Sequence, residues 1–344
     1  EDGIRDYKVT GVQTCALPIS LPVQVWYPTT TTDAALHSYD DLYTATAEDG
    51  PPADCAAHRP VLLFSHGHGG CRWQSVFWTE WMATHGWIVV APDHVYDTYF
   101  DEDDSLTFEL ALRRPLDIRD SFDWLTATDG DGRLTGCVDA DAGYVMSGHS
   151  FGAYTTLAVT GAVIDLTHAD EICDKSGGWM CPYLPDWEAA HPDVTSVDLS
   201  DPRASAGVAM CPAAYEILAA GLPQMTHPTL IWGGTRDTLT PLYTSVKPIW
   251  NDVGARPDDL AVLQDAGHYT FSDACDLLPT FPDCADPYLD PAVAHPIVDT
   301  VSYAFLQAAQ GRADADQWLP PADQPLLRSE EHTSELQSPC NLVC

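Results

Sequence analysis

Three side-chain types in this chain stand where they could carry out nucleophilic chemistry together. Ser150 lies in Gly148-His149-Ser150-Phe151-Gly152, between an apolar run at 144–146 and an apolar stretch at 153–159. The pattern predicts a buried strand, a sharp Gly-x-Ser-x-Gly turn and a helix. A serine at such a tip adopts a strained, often positive-φ conformation. Gly148 and Gly152 supply the small neighbours that let strand and helix pack beneath it. The start of the helix presents free N–H groups and a partial positive charge, which suit a developing oxyanion. A serine hydroxyl attacks only once a neutral imidazole takes its proton, and the imidazole needs a carboxylate to fix its tautomer. Asp237 follows the apolar run 228–234, and His268 follows the run 260–263. Their order, Ser150, Asp237, His268, reads as nucleophile, acid, base. Asp265 is the rival acid and His295 the rival base. Asp237 as a turn cap and His268 as a structural loop histidine are the alternatives without chemistry. An imidazole base makes activity climb with pH, roughly across pH 6 to 8.

A second feature is His66-Gly67-His68-Gly69-Gly70, directly after the apolar run 60–65. A glycine-rich loop after a buried strand turns backbone N–H groups toward a ligand. It reads as the other half of an oxyanion hole, with the N–H of His68 pairing with that of Phe151. The alternatives are a tight strand–helix turn, or a metal cluster built from His66 and His68. No carboxylate or cysteine stands at ligand spacing nearby in the sequence to complete such a cluster.

The elements that must position these groups are legible from hydrophobic pattern. Residues 23–25 alternate as a strand, and the runs 60–65, 86–92, 144–149, 207–212, 228–234 and 260–263 read as strands buried on both faces. Helical spacing covers 73–85, 117–127 and 297–310. Strands alternating with helices predict an α/β fold, a mostly parallel, doubly wound sheet with helices on both faces. Residues 29–59 read as a polar surface loop. The run 163–206 is too long for a plain connection and reads as a cap-like insertion over the site. The acidic run 101–104 reads as a solvated loop, with a calcium site as the alternative, and 129–132 as a turn. Trp73, Trp78, Phe151 and Trp179 are candidates for an apolar substrate wall. Core packing is the commoner role for any one of them.

With these segments in place, the chain resembles an α/β hydrolase of the platelet-activating-factor acetylhydrolase and dienelactone-hydrolase-like group, related to cutinases and esterases. Phe64-Ser65-His66-Gly67-His68-Gly69 is similar to its oxyanion loop, Gly148-His149-Ser150-Phe151-Gly152 to its nucleophile elbow, and Ala266-Gly267-His268-Tyr269-Thr270-Phe271 to its histidine loop. The resemblance implies carboxylic-ester hydrolysis through an acyl-enzyme, without metal or organic cofactor. Two departures stand out. Eukaryotic acetylhydrolases place the acid after the strand matching 207–210, where this chain has Cys211-Pro212, which moves the acid to Asp237. Dienelactone hydrolases use a cysteine nucleophile, where this chain has Ser150. The expected substrates are uncharged short-acyl or aryl esters, small or polymeric. Cutinase-like polyester or lipase activity, amide hydrolysis or acyl transfer on the same three residues, and a non-catalytic binding role are the alternatives.

Composition narrows the rest. There are 51 acidic against 15 basic residues, a net charge of -36. That disfavours nucleic-acid binding, which needs a basic patch, and anionic substrates as well. An acidic, lysine-poor surface suits high salt, where screening relieves self-repulsion, and also fits a GC-rich genome. No stretch approaches the apolar length of a membrane span. Residues 1–19 and 328–344 resemble a translated sequencing adaptor read from its two strands. Tyr7-Lys8 coded TAC-AAG has the reverse complement CTTGTA, which fits in frame within codons for Pro339, Cys340 and Asn341. The expected domain is therefore 20–327. Eight of the 11 cysteines lie within it. Cys275 with Cys284 and Cys173 with Cys181 are candidate bridges, while Cys211, in an apolar strand, reads as a buried free thiol. The even count fits a secreted or periplasmic protein.

Overall fold

A computed structural model describes residues 7–10, 20–30, 35–48, 52–127, 132–254, 258–311 and 327–330. Its centre is a nine-stranded sheet. Six strands run parallel in the spatial order Ile88–Pro92, Val61–Ser65, Tyr144–His149, Ala204–Met210, Thr229–Gly234, Asp258–Leu263. Ser20–Trp26 adds antiparallel to Ile88–Pro92. The short strands Tyr7–Thr10 and Leu327–Glu330 close the two edges, the first within and the second largely within the adaptor-like segments. The chain steps from Val61–Ser65 outward to Ile88–Pro92, then returns to place Tyr144–His149 on the other side. The strand order thus reverses between the loops that leave Ser65 and His149, where open α/β sheets form their ligand crevice.

The continuous apolar runs are explained by burial on both sides. Leu62, Phe64, Val89, Val208, Leu230 and Trp232 face the helices Val76–Thr84 and Pro291–Ala309. Their alternating neighbours Leu63, Val90, Met146, Ala209 and Ile231 face Thr107–Thr126, Phe151–Val159 and Lys247–Asp252. This is the α/β-hydrolase fold. Among the described residues, no helix is long and apolar enough to cross a membrane.

Three local expectations are corrected. Within 29–59 the chain forms a hairpin, Leu36–Tyr39 with Tyr43–Glu48, rather than a plain loop. Buried Glu80 anchors it, accepting from the Tyr39 hydroxyl (2.6 Å) and the Thr46 N–H (2.8 Å). The helix expected at 117–127 starts at Thr107 and carries Pro115 in its interior. The sheet resumes at Ala204, inside the segment read as an insertion. Before that point, Ile164–Asp165 pairs with Ser196–Val197, and helices Leu166–Ser176 and Leu184–Ala190 pack through Leu166, Ala169 and Leu184 onto the cluster that holds Phe151. The turn expected at 129–132 lies mostly outside the described residues.

Among the described residues three disulfides are formed: Cys173–Cys181 and Cys275–Cys284, as expected, and Cys55–Cys137, which spans 82 residues. Cys71 and Cys211 are buried free thiols. Asp273, at the N-terminus of the short Ala274–Leu277 helix, is buried and accepts the Phe77 N–H at 3.0 Å. Burial, reinforced by Asp276 and Glu80, pushes its carboxyl up to about 8 from the ordinary 3.8. A carboxyl raised by folding keeps a proton that the unfolded chain releases, so its contribution to stability declines as pH rises through that interval. Asp273→Asn keeps an acceptor for Phe77 and removes the ionisation. It is expected to raise the thermal midpoint by about a few degrees at pH 8 and to flatten the decline between the ordinary 3.8 and about 8. Unfolding curves with the same pH slope in both proteins would refute the assignment.

Candidate active site

Ser150 is the hinge between strand and helix. It holds φ 58° and ψ −116°, a conformation L-residues rarely adopt, and it is half-buried. The packing beneath it shows why its neighbours are glycines. A Cβ at Gly152 would stand 1.8 Å from the Ser65 carbonyl oxygen, and one at Gly148 would stand 2.2 Å from the Gly152 carbonyl oxygen. The helix Phe151–Val159 begins immediately, so the Phe151 N–H belongs to its unsatisfied first turn.

Asp237 and His268 meet on the two loops that follow Thr229–Gly234 and Asp258–Leu263. The Nδ1–H of His268 donates to Asp237 Oδ2 at 2.8 Å, and both residues are buried. Asp237 also accepts the N–H groups of Leu239 and Thr240 on Oδ1, each at 2.8 Å, and the Thr240 hydroxyl on Oδ2, also at 2.8 Å. It therefore caps its turn and faces the histidine at once. Burial alone would raise its pKa, but the His268 charge and these hydrogen bonds outweigh that and hold it down at about 2. The rivals lie elsewhere. Asp265 pairs with Arg236 at 2.7 Å, and His295 is half-buried in a stack on Phe77 with ring centroids 3.7 Å apart.

The glycine-rich loop is fixed from both ends. Gly67 N–H donates to Gln74 Oε1 (2.8 Å), and Gly69 N–H donates to Asp97 Oδ1 (3.2 Å). Gln74 Nε2 donates in turn to His149 Nδ1 (2.9 Å), and His149 Nε2–H donates to the His268 carbonyl (3.0 Å). Burial, with the nearby His268 charge, lowers the His149 imidazole to about 3, so it stays neutral with this tautomer. One glutamine and one histidine thus tie the glycine-rich loop, the elbow and the histidine loop together. His66 anchors the loop, donating from Nδ1 to the Gly67 carbonyl and accepting the His94 N–H on Nε2. Against the effect of partial burial, the hydrogen bond and charge of Asp97 raise the His68 imidazole above its ordinary value.

Of the aromatic residues expected to line a substrate wall, Trp179 packs edge-on against Phe151 (4.8 Å between centroids) and His68 (5.1 Å), half-buried beside the elbow. Trp73 and Trp78 are corrected. Both are buried in the core beneath the sheet, Trp78 on the helix Val76–Thr84 that packs there and Trp73 in the turn before it, bonded to Asp40. Phe151 offers no side-chain surface. Two groups of potential ligand atoms lie within 4.8 Å of one another among the described residues: Cys211 with Asp237 and His268, and His68 with Glu102 and Asp104. Burial first, then the Asp237 charge, pushes the Cys211 thiol well up, so it remains a protonated neighbour of Asp237. His68 Nε2 is already within ion-pair distance of Glu102 and Asp104. Asp101 and Asp103 accept backbone N–H groups of their own loop. The Cys275–Cys284 loop braces the histidine, since Asp283 within it accepts the Tyr269 N–H at 2.9 Å.

Sequence pattern did not single out Gln74, His149 as a brace, Asp97 or Thr240. Their roles depend on contacts with distant segments, and only the His149 position inside the elbow gave a local signal.

No protein-family model and no curated protein matches the chain. Among solved structures it is similar to a ferulic acid esterase from Streptomyces cinnamoneus, with a TM-score of 0.63 and 18% identity. The match covers 96% of this chain and 95% of that one. The likeness extends over the whole α/β-hydrolase fold.

Proposed function

We propose that this protein is a serine carboxylic-ester hydrolase. The observation that carries the reading is the strained Ser150 elbow at the crevice of the sheet, with a buried Asp237–His268 pair on neighbouring loops. In this reading Ser150 Oγ attacks the ester carbonyl while His268 Nε2 takes its proton. The N–H groups of His68 and Phe151 hold the oxyanion, and the tetrahedral adduct collapses to an acyl-serine as His268 returns the proton to the leaving alcohol. Water, deprotonated by His268, then releases the acid. Asp237 fixes the tautomer and stabilises the imidazolium. The fold of a ferulic acid esterase supports ester chemistry in general. The finer kinship, to acetylhydrolase- or dienelactone-hydrolase-like enzymes, rests on the loop motifs and is part of the proposal. So is a domain of 20–327 with an insertion lying over the site. The three disulfides favour an oxidising compartment, secreted or periplasmic.

The substrates proposed are uncharged aryl or short-acyl esters, with Trp179 as the wall beside the elbow. One observation favours a polymeric ester as a second reading. Tyr96, Tyr99 and Phe100 are exposed on the loop after Ile88–Pro92, and Leu239 and Tyr243 are exposed after Thr229–Gly234. Both loops leave the same edge of the sheet, each two strands from Tyr144–His149, which places them roughly 10 Å to either side of Ser150. An extended uncharged chain could rest on both.

The test is covalent labelling with a fluorophosphonate, followed by peptide mapping and a panel of ester, amide and alcohol-acceptor substrates. Modification of Ser150, with ester turnover exceeding amide turnover and acyl transfer, is the expected result. A folded protein that takes up no label overturns the reading.

A further inference from the structure

Behind the crevice lies a guanidinium with no solvent exposure. Arg114, on Thr107–Thr126, donates from Nη1 to Asp97 and from Nη2 to the His66 carbonyl. Nη2 also donates to Ser65 Oγ at 3.1 Å, and Nε to Thr155 Oγ1 at 3.2 Å. Its central carbon stands 4.6 Å from the centroid of the Phe151 ring. Asp97, equally buried, uses its other oxygen to accept the Gly69 N–H and the Nδ1–H of His68, the latter at 2.6 Å.

These contacts divide between two segments. Ser65, His66, His68 and Gly69 belong to the glycine-rich loop and the strand end that launches it. Phe151 and Thr155 belong to the helix that starts at the elbow. The two segments leave adjacent strands, and each provides one of the N–H groups assigned above to the oxyanion. An oxyanion hole works only if its donors are held where the charge will develop, before it develops. A planar donor set with a fixed fork is suited to locking two backbones at once, which a single ammonium is not.

We propose that Arg114 is a positioning residue for the oxyanion hole. Its guanidinium sets the His68 N–H against the Phe151 N–H, directly through Ser65, His66, Thr155 and the Phe151 ring, and indirectly through Asp97. The inference rests on the serine-hydrolase reading. It adds to that reading a group, remote from substrate, on which transition-state stabilisation depends.

The test compares Arg114→Ala, Arg114→Lys and Asp97→Asn with the full chain, using p-nitrophenyl acetate turnover, the inhibition constant of phenylboronic acid and thermal unfolding. Arg114→Ala is expected to lower kcat by roughly 10² to 10³, the scale of a lost oxyanion donor, with KM moving less than about threefold. Boronate affinity should fall in parallel with kcat, because that adduct is tetrahedral. Added methylguanidinium should restore at least about tenfold of the lost rate, a recovery that a merely stabilising ion pair would not give. Arg114→Lys keeps the charge facing Asp97 but cannot span all the acceptors, and is expected to lose about tenfold in kcat at unchanged KM. Asp97→Asn should follow it. If Arg114→Ala does not fold, the lysine and asparagine variants decide.

Folded variants with wild-type kcat, or with losses in kcat that leave boronate affinity untouched, overturn the inference. Failure of the underlying reading looks different: the wild-type protein itself then takes no fluorophosphonate on Ser150.

Discussion

Ser150→Ala is expected to lower kcat on esters by on the order of 10⁶ while leaving the fold intact. Alanine and serine bear the same Cβ, so the cost of the elbow's φ of 58° is already present in the natural chain and does not change. The Ser150 N–H donates to the Met210 carbonyl at 2.8 Å, and its carbonyl accepts the Ala153 N–H at 3.0 Å. Both are backbone bonds that alanine keeps. Only the oxygen proposed as nucleophile disappears. What survives is the small acceleration that binding and oxyanion stabilisation give to attack by water. Steady-state kinetics beside circular dichroism checks this. A folded variant within about tenfold of wild type would remove Ser150 from the mechanism.

Asp237→Asn should cost about 10⁴ in kcat, again with little change in structure. The asparagine oxygen can still accept the Leu239 and Thr240 N–H groups, so the turn survives. The other atom becomes an NH₂ group facing His268 Nδ1, where a carboxylate oxygen now accepts at 2.8 Å. The imidazole must then carry its proton on Nε2, where it cannot take one from serine. Stability gives an independent reading. Folding lowers the Asp237 carboxyl from 3.8 to about 2. Its contribution is therefore fully present above about pH 4 and is lost as pH falls through about 2. Acid-unfolding curves should show that step in the wild type and lack it in Asp237→Asn. If the variant keeps full activity, a different acid serves His268.

How much of this was visible in the chain follows from which features are local. The elbow needs two glycines within five residues and apolar runs on either side, so Gly148 to Gly152 announces itself. The loop after Ser65 does the same. A rule about loops that follow buried strands places Asp237 and His268, and the fold brings the pair into contact. Trp73 and Trp78 sit in the core, where aromatic residues at such spacing more often belong, and nothing local in the sequence separates them from Trp179, which does reach the elbow. Arg114 was invisible for another reason. Amid Arg113, Asp117 and Arg119 it looks like one more charge on a solvated helix, and only the fold turns it inward. Glu80 and Tyr39, 41 residues apart, and Cys55 and Cys137, 82 apart, are long-range pairs of the kind that spacing does not encode.

The bridge between Cys275 and Cys284 closes the short loop whose Asp283 holds the residue next to His268. Its place in the fold makes the choice of production host a variable of the assay. Protein made in a reducing cytosol would carry the elbow, its serine and most of the sheet unchanged, yet with His268, the proposed base, on a slack tether. Such material would bind substrate, pass tests of purity and secondary structure, and turn over slowly. Screens for substrates of this protein therefore belong in an oxidising export pathway.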